Sequence, residues 1–220
     1  MKKLKKINKN IYIIIVLLIL FLFFSIKSYA ETINTGLSNS IFRLHVIANS
    51  NSDEDQNLKF KVRDSLIDYM NVLTKNSNSK DETILIAKSH INDFKSIAQK
   101  TVKDMGFDYK VDVEVGYFNF PTKEYGDMSF PAGNYDALRV KIGDAKGKNW
   151  WCVMFPPLCF VDITSATVPE ESKENLKESL SEEEYELISK SDESSEIKFK
   201  IVDIFNNFSS KIANSNWWKI

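Results

Sequence analysis

The segment Lys148–Asp162, with the sequence KNWWCVMFPPLCFVD, limits the possible folds of this chain more than any other. It holds two tryptophans, two phenylalanines, two adjacent prolines and both cysteines of the protein. The prolines exclude a continuous helix, and an extended strand would separate Cys152 from Cys159 by about 23 Å, far beyond the reach of a disulfide. A reversal through Phe155–Leu158 would bring the two sulfur atoms together. The sequence therefore predicts a hairpin closed by a Cys152–Cys159 disulfide, with two buried free thiols as the alternative.

The N-terminus has the pattern of an export signal. Five lysines among the first nine residues precede an unbroken apolar run of 14 residues, Ile11 to Phe24. A helix of that length rises about 21 Å, which is short for a bilayer span. Ser28 and Ala30 then place small residues at the −3 and −1 positions of a cleavage site. We expect a signal peptide over residues 1–30, cleaved between Ala30 and Glu31, with an uncleaved membrane anchor as the alternative.

Export changes the charge of the remaining chain and its redox environment. Six of the 29 basic residues and no acidic residue lie in the signal, which leaves 23 basic and 30 acidic residues and a net charge of −7. An acidic domain argues against nucleic acid or anionic lipid as a partner, and an oxidising compartment permits a disulfide. We expect residues 31–220 to form a single extracytoplasmic domain. It would meet a membrane only through the N-terminal signal segment.

Hydrophobic periodicity predicts a strand and two helices in the first half of the domain. Residues Ile41–Ile47 alternate between apolar and polar types, with Arg43 and His45 on the polar side of a half-buried strand. Two helices follow, with Ser52 and Ser79 as their N-caps. The second of them is expected to be continuous.

The second half of the domain is predicted to hold a sheet and a final helix. Tyr109–Tyr117 alternate strictly, Leu138–Ile142 form the next strand, and Trp151–Phe155 are expected to follow it in a meander. Apolar residues at helical spacing over Ile197–Ile212 predict an amphipathic helix. These elements predict an α+β fold: a mainly antiparallel sheet of three to four strands, packed with amphipathic helices and preceded by an N-terminal signal helix.

No catalytic constellation is evident in the sequence. The two histidines, His45 and His90, lie 45 residues apart and outside any ligand-spaced cluster, so both are expected at the surface, solvated or hydrogen-bonded. The apolar neighbours of Cys152 and Cys159 disfavour the thiolate that a cysteine nucleophile needs. Phosphate-binding glycine loops, GxSxG and HExxH are all missing from the sequence. We therefore expect no enzyme activity, no cofactor, no metal and no small-molecule substrate.

Two blocks of sequence resemble the stage II sporulation protein R family of endospore-forming bacteria. They are FRLHVIANSNSDEDQNLKFKVRDSL at Phe42–Leu66 and PAGNYDALRVKIGDAKGKNWWCVMFPPLCFVD at Pro131–Asp162. The export signal and the ending EIKFKIVDIF at Glu196–Phe205 fit the same pattern. The two blocks cover 57 of the 220 residues and occur in the order that the family has.

The resemblance implies a signalling protein rather than an enzyme. In that family the forespore secretes the protein into the space between the forespore and mother-cell membranes. There it activates a membrane-embedded aspartic protease of the mother cell, which cleaves the inactive precursor of the transcription factor sigma-E. The implied partner is that protease. The alternatives are an exported envelope-binding or wall-associated enzyme, and a membrane-anchored scaffold.

An activator must bind the active state of its partner preferentially. Contact surfaces are enriched in aromatic residues and arginine, and two regions offer such residues: the predicted hairpin and the first strand-to-helix turn. The candidates for contact with the protease are Trp150, Trp151, Phe155, Arg43, Asn49, Asp53 and Arg63. Burial in the core is the alternative for the aromatic candidates, and a structural role in the turn is the alternative for Asn49.

Overall fold

The structure is a computed structural model that describes residues 9–75, 77–159, 167–190 and 192–214. Within these ranges the chain forms seven helices, a four-stranded sheet and a two-stranded sheet, which confirms the α+β fold. The elements in chain order are α1 (Lys9–Ser40), β1 (Phe42–Ile47), α2 (Asp53–Thr74), α3 (Lys80–Ser89), α4 (Ile91–Asp104), β2 (Val111–Phe120), β3 (Lys123–Tyr125), β4 (Met128–Phe130), β5 (Gly133–Ile142), β6 (Asn149–Phe155), α5 (Glu170–Ser179), α6 (Glu182–Ser189) and α7 (Glu193–Asn214). The last three residues of the Lys148–Asp162 segment lie outside the described residues.

The larger sheet has the strand order β2-β5-β1-β6. Strand β1 lies in its interior, parallel to β5 and antiparallel to β6, and β2 is antiparallel to β5. The mainly antiparallel sheet is thus confirmed. The predicted meander is wrong, because β6 pairs with β1 rather than with β5. This pairing places His45 opposite Trp151 and Val46 opposite Trp150.

Strand β1 is buried on both faces, not half-buried as its alternation predicts. Arg43 is 0% exposed and His45 is 6% exposed. The face that carries Val46 is turned toward α2, and the face that carries Arg43 and His45 is covered by the β3–β4 hairpin and the end of β2. The hairpin lies in the connection between β2 and β5, for which periodicity predicts no strand.

The predicted second helix is interrupted. Ser79 is its N-cap as expected, since its Oγ accepts a hydrogen bond from the Glu82 N–H at 3.2 Å. At His90 the helix ends and α4 begins. His90 lies at the surface, as predicted, with Nδ1 2.8 Å from a carboxylate oxygen of Asp93. The break lets α4 pack along α2.

Helix α1 joins the export segment to the domain without a break. Its side chains from Ile11 to Phe24 are exposed. The helix Asn10–Ser40 as a whole is long and apolar enough to cross a membrane, a property that signal sequences share. Its later residues are buried: Ala30 and Leu37 are 0% exposed and Ile33 is 3% exposed. The expected cleavage position after Ala30 therefore falls inside a helix whose C-terminal part belongs to the core.

Helix α7 buries a different face from the one that periodicity predicts. Phe199 and Asn206 are buried against the domain. Ile204 and Phe208, which belong to the apolar face that the spacing over Ile197–Ile212 predicts, are 70% and 56% exposed. The side chain of Ile212 lies outside the described part of the chain. Because the helix carries apolar residues on two sides, spacing alone does not decide which side meets the domain.

Candidate functional site

The chain folds back after β6 as the sequence predicts. The sulfur atoms of Cys152 and Cys159 are bonded, with their Cα atoms 5.2 Å apart. The Leu158 N–H donates to the Val153 carbonyl oxygen at 3.0 Å and closes the turn. Closing so short a loop contributes about 2.5 kcal/mol to stability by reducing the entropy of the unfolded chain. Both cysteines are buried, so the hairpin is a structural element of the core.

Trp150 and Trp151 lie on opposite faces of the sheet, because successive residues of a strand point to opposite sides. Trp150 faces α2, where its ring meets Phe60 edge to face with 5.5 Å between centroids. The guanidinium carbon of Arg63 lies 4.2 Å from the centre of a Trp150 ring. All three side chains are partly exposed. We call Phe60, Arg63 and Trp150 the Trp150 patch; it brings two of the predicted contact residues together.

A buried lysine adds positive charge to the Trp150 patch. Lys59 is 3% exposed, and its Nζ donates to Gln56 Oε1 at 2.6 Å and to the Lys148 carbonyl oxygen at 3.3 Å. Burial lowers the pKa of Lys59 to about 8, and the charges of Arg63 and Lys148 act in the same direction. Within the described ranges no carboxylate forms an ion pair with Lys59. The patch is therefore suited to a partner that brings carboxylates.

Trp151 packs on the opposite face of the sheet from Trp150 and, like Trp150, is partly buried. Its ring stacks on His45, with 3.7 Å between centroids, and contacts Phe120 at 4.6 Å. The expectation that His45 lies at the surface is wrong, because the rings of β2 and β6 cover it. Burial lowers the pKa of His45 to about 4. The histidine is therefore neutral in the folded protein near neutral pH.

Acid is expected to destabilise the protein through His45. Its pKa is about 4 in the folded state and about 6.5 in an unfolded chain. Below about pH 6.5 the unfolded state binds more protons, so stability falls as the pH drops toward about 4, by up to about 3 kcal/mol. The positive charges of Arg139, Arg43 and Lys141 around the ring also lower the pKa of His45.

Urea unfolding between about pH 7 and pH 4 measures this loss. His45→Phe, which keeps an aromatic ring against Trp151 but does not titrate, should flatten the dependence of the unfolding free energy on pH. Val72→Ala, at an exposed position of α2 that does not titrate, should leave the dependence unchanged. A wild-type slope in His45→Phe would assign the loss to carboxylates instead.

Arg43 lies in an aromatic enclosure rather than at the surface. Its Nη2 donates to the Tyr125 hydroxyl at 2.9 Å. Its guanidinium carbon is 4.2 Å from the ring centre of Phe120, 4.9 Å from that of Tyr135 and 5.8 Å from that of Phe130. Nε and Nη1 have no hydrogen-bond partner among the described residues. The sequence-based choice of Arg43 as a contact residue is therefore not supported, because a partner cannot reach its side chain.

Asn49 joins two loops. Its Nδ2 donates to Asp55 Oδ2 at 2.8 Å, and its Oδ1 accepts from the Asp144 N–H at 2.9 Å. These bonds tie the turn before α2 to the turn between β5 and β6, so a structural role explains this residue. Asp53, by contrast, is exposed in the first turn of α2, just after the Ser52 cap that the sequence predicts.

Phe155 lies at the rim of an open cleft of about 630 Å³. Pro156 and Pro157 border the cleft on the same side, and most of its other lining is amide, hydroxyl and lysine groups. Glu178 is the one carboxylate in the described lining, whereas acid–base hydrolysis of a glycan needs two. The cleft therefore does not favour a wall-degrading enzyme. The described residues also contain no group of three or more His, Cys, Asp or Glu side chains that could hold a metal ion.

The comparisons with known proteins agree on one family. The family model described as Stage II sporulation protein R matches residues 38–165. Stage II sporulation protein R of Bacillus subtilis (strain 168) is 38% identical over 143 residues, which are 64% of this chain and 64% of that relative. The matched part thus spans just under two thirds of the relative. No solved structure matches. From the family match, the chain belongs to the stage II sporulation protein R family.

Proposed function

We propose that this protein is a secreted sporulation signal that activates a membrane-embedded aspartic protease of the mother cell and so triggers cleavage of the sigma-E precursor. Membership of the family carries the proposal, because the family description itself implies a role in sporulation. The apolar N-terminal part of α1, typical of an export signal, supports it. The site of action that we propose is the space between the forespore and mother-cell membranes.

The Trp150 patch is the surface that we propose for contact with the protease. It combines a partly exposed tryptophan, an arginine stacked on it, and a buried lysine that no carboxylate of the described residues pairs with. Tryptophan and arginine are among the residues most often found at the energetic centre of interfaces. Asp53 and Phe155 remain accessible as further contacts. Asn49 has a structural role, Arg43 is buried, and the partly buried ring of Trp151 already packs on His45 and Phe120.

Reconstitution in non-sporulating cells tests the proposal. The exported chain, the protease and the sigma-E precursor are produced together, and the processed sigma factor is measured on an immunoblot. We expect cleavage only when all three are present. Trp150→Ala combined with Arg63→Glu should reduce it strongly, since both contacts of the patch are lost. Val72→Ala, an exposed site on the same helix α2, is the matched control and should leave cleavage unchanged.

One outcome would reject the proposal: the precursor stays intact with this chain, although an established activator of the same protease promotes cleavage in the same cells. If the chain activates but the Trp150 patch variant activates equally well, signalling stands and the contact surface lies elsewhere. The amount of exported protein in each strain separates loss of contact from loss of protein.

A membrane-anchored form is a second candidate, and the continuity of α1 from the apolar segment into the core favours it. In that form the same domain would face the protease while held by its own N-terminal helix. The N-terminal residue of the protein outside the cytoplasm decides between the forms. A chain that starts at Glu31 identifies the cleaved signal, and a chain that retains the lysine-rich N-terminus identifies the anchor.

A further inference from the structure

Helix α7 presents an apolar stripe away from the domain. Its four members recur at helical spacing, so they lie on one side of the helix. They are Ile197, Ile201, Ile204 and Phe208, with exposed fractions of 53%, 37%, 70% and 56%. The opposite side of α7 is the one that the domain buries, through Phe199, Val202 and Asn206. We call these four exposed side chains the α7 stripe.

The α7 stripe lies beside the apolar part of α1. Phe205, next to the stripe on the helix, faces Phe23 with 6.3 Å between ring centroids. Phe23 lies within the run of exposed apolar side chains that begins at Ile11. The packing of the two helices is fixed by side-chain amides, since Asn206 Nδ2 donates to Asn34 Oδ1 at 2.8 Å. A bilayer that surrounds Phe23 therefore reaches the flank of α7.

Lysines border the α7 stripe on both sides. By helical spacing Lys198 lies on one flank, and Lys200 and Lys211 lie on the other. Lys200 and Lys211 are exposed and Lys198 is partly exposed. A long lysine side chain can pack its methylene groups on an apolar surface while its ammonium group stays in water. An apolar stripe with flanking lysines is typical of a helix that lies in the plane of a membrane interface.

We propose that, in the membrane-anchored form of the protein, the α7 stripe lies in the interface of the bilayer that α1 enters, so that α7 holds the domain against the membrane surface. The occupant of the stripe is the acyl and headgroup region of the lipid rather than a second copy of the chain, because the stripe is continuous with the segment that the bilayer itself surrounds. The domain is acidic, so the attachment rests on apolar contact and does not need anionic lipid. This goes beyond the sequence-based expectation that only the N-terminal segment meets the membrane.

Fluorescence quenching in the full chain tests the proposal. Single cysteines at Ile204 and Phe208 are labelled with bimane, and the protein is reconstituted in phosphatidylcholine vesicles. Matched controls carry the label at Val72 or Leu85, apolar residues of α2 and α3 that are 75% and 67% exposed. We expect a doxyl-labelled phosphatidylcholine to quench the α7 probes and aqueous iodide to leave them bright. At the control positions, iodide should quench the probes and the doxyl-labelled lipid should leave them bright.

Two outcomes overturn the proposal. If iodide quenches the Ile204 and Phe208 probes as strongly as the controls, the α7 stripe faces water. If neither quencher reaches them, protein covers the stripe, and a second copy or another polypeptide is its occupant. Insensitivity of the lipid quenching to added salt is expected as well, since an apolar contact is not screened.

Discussion

Arg43→Glu is expected to prevent folding. The side chain is 0% exposed in an interior strand, and aromatic rings surround its guanidinium. A carboxylate there would face the negative ring faces that attract the present cation. Leaving one charge unpaired in such a place costs several kcal/mol, against a total stability of about 5–15 kcal/mol for a domain. Thermal unfolding followed by circular dichroism should show no cooperative transition.

Arg63→Glu is the matched control, because it reverses an arginine that is partly exposed on α2. Its guanidinium stacks on Trp150 and pairs with Asp64 at 2.6 Å, and exposed contacts of both kinds are worth about 0–1 kcal/mol. This variant should unfold within a few degrees of the wild type. A cooperative transition near the wild-type midpoint in Arg43→Glu would contradict the buried position of Arg43.

Comparing Arg43→Glu with Arg63→Glu also distinguishes a lost fold from a lost contact in a signalling assay. A loss of precursor cleavage in Arg43→Glu reports a lost fold, since no partner reaches that side chain. The same loss in Arg63→Glu, with a normal unfolding transition, reports a lost contact. Arg43→Lys keeps the charge but not the planar group that stacks on the rings, so it should fold with reduced stability.

The features that sequence predicted well are local ones. The reversal that joins Cys152 to Cys159 follows from seven steps of chain with two prolines at the middle, and the structure contains it. The Ser52 cap follows from a serine before three acidic residues. In both cases the residues that determine the feature lie within one or two turns of each other, so spacing and residue type are sufficient.

The features that sequence missed depend on distant parts of the chain. Arg43 and His45 alternate with apolar neighbours, and alternation is typical of a strand with one face in water. Their face is instead covered by Tyr125, Phe120 and Trp151, which follow about 75 to 110 residues later. The pairing of β6 with β1 rather than β5 is equally non-local. No local pattern shows which distant aromatic residues will cover a strand.

The candidate contact residues also show this difference between local features, which the sequence predicts, and distant packing, which it does not. Trp150 and Trp151 are adjacent and chemically identical, and their strand alternation places them on opposite faces. What each ring packs against depends on α2 on one side and on β2 with the β3–β4 hairpin on the other. Lys59 has no sequence signal at all, since its burial follows from its place between α2 and the loop before β6.

Leu37→Ala is expected to lower the free energy of unfolding by about 2–5 kcal/mol, the range for removing a buried leucine side chain. Leu37 is 0% exposed, and with Ala30, Ile33 and Ile41 it forms the buried face of the end of α1 and the residue that follows it. Urea unfolding measures the loss, and Thr32→Ala, on the exposed side of the same helix, should change the unfolding free energy little.

The same packing fixes how much of α1 the domain needs. Cleavage after Ala30 would leave Ile33 and Leu37 in the core, whereas a chain that starts at Ile41 lacks both side chains. Fully burying such a side chain is worth about 1.5–3 kcal/mol, so the shorter chain should lose much of a stability of about 5–15 kcal/mol. A wild-type unfolding midpoint in Leu37→Ala, or in the chain that starts at Ile41, would mean that residues 31–40 add nothing to the core.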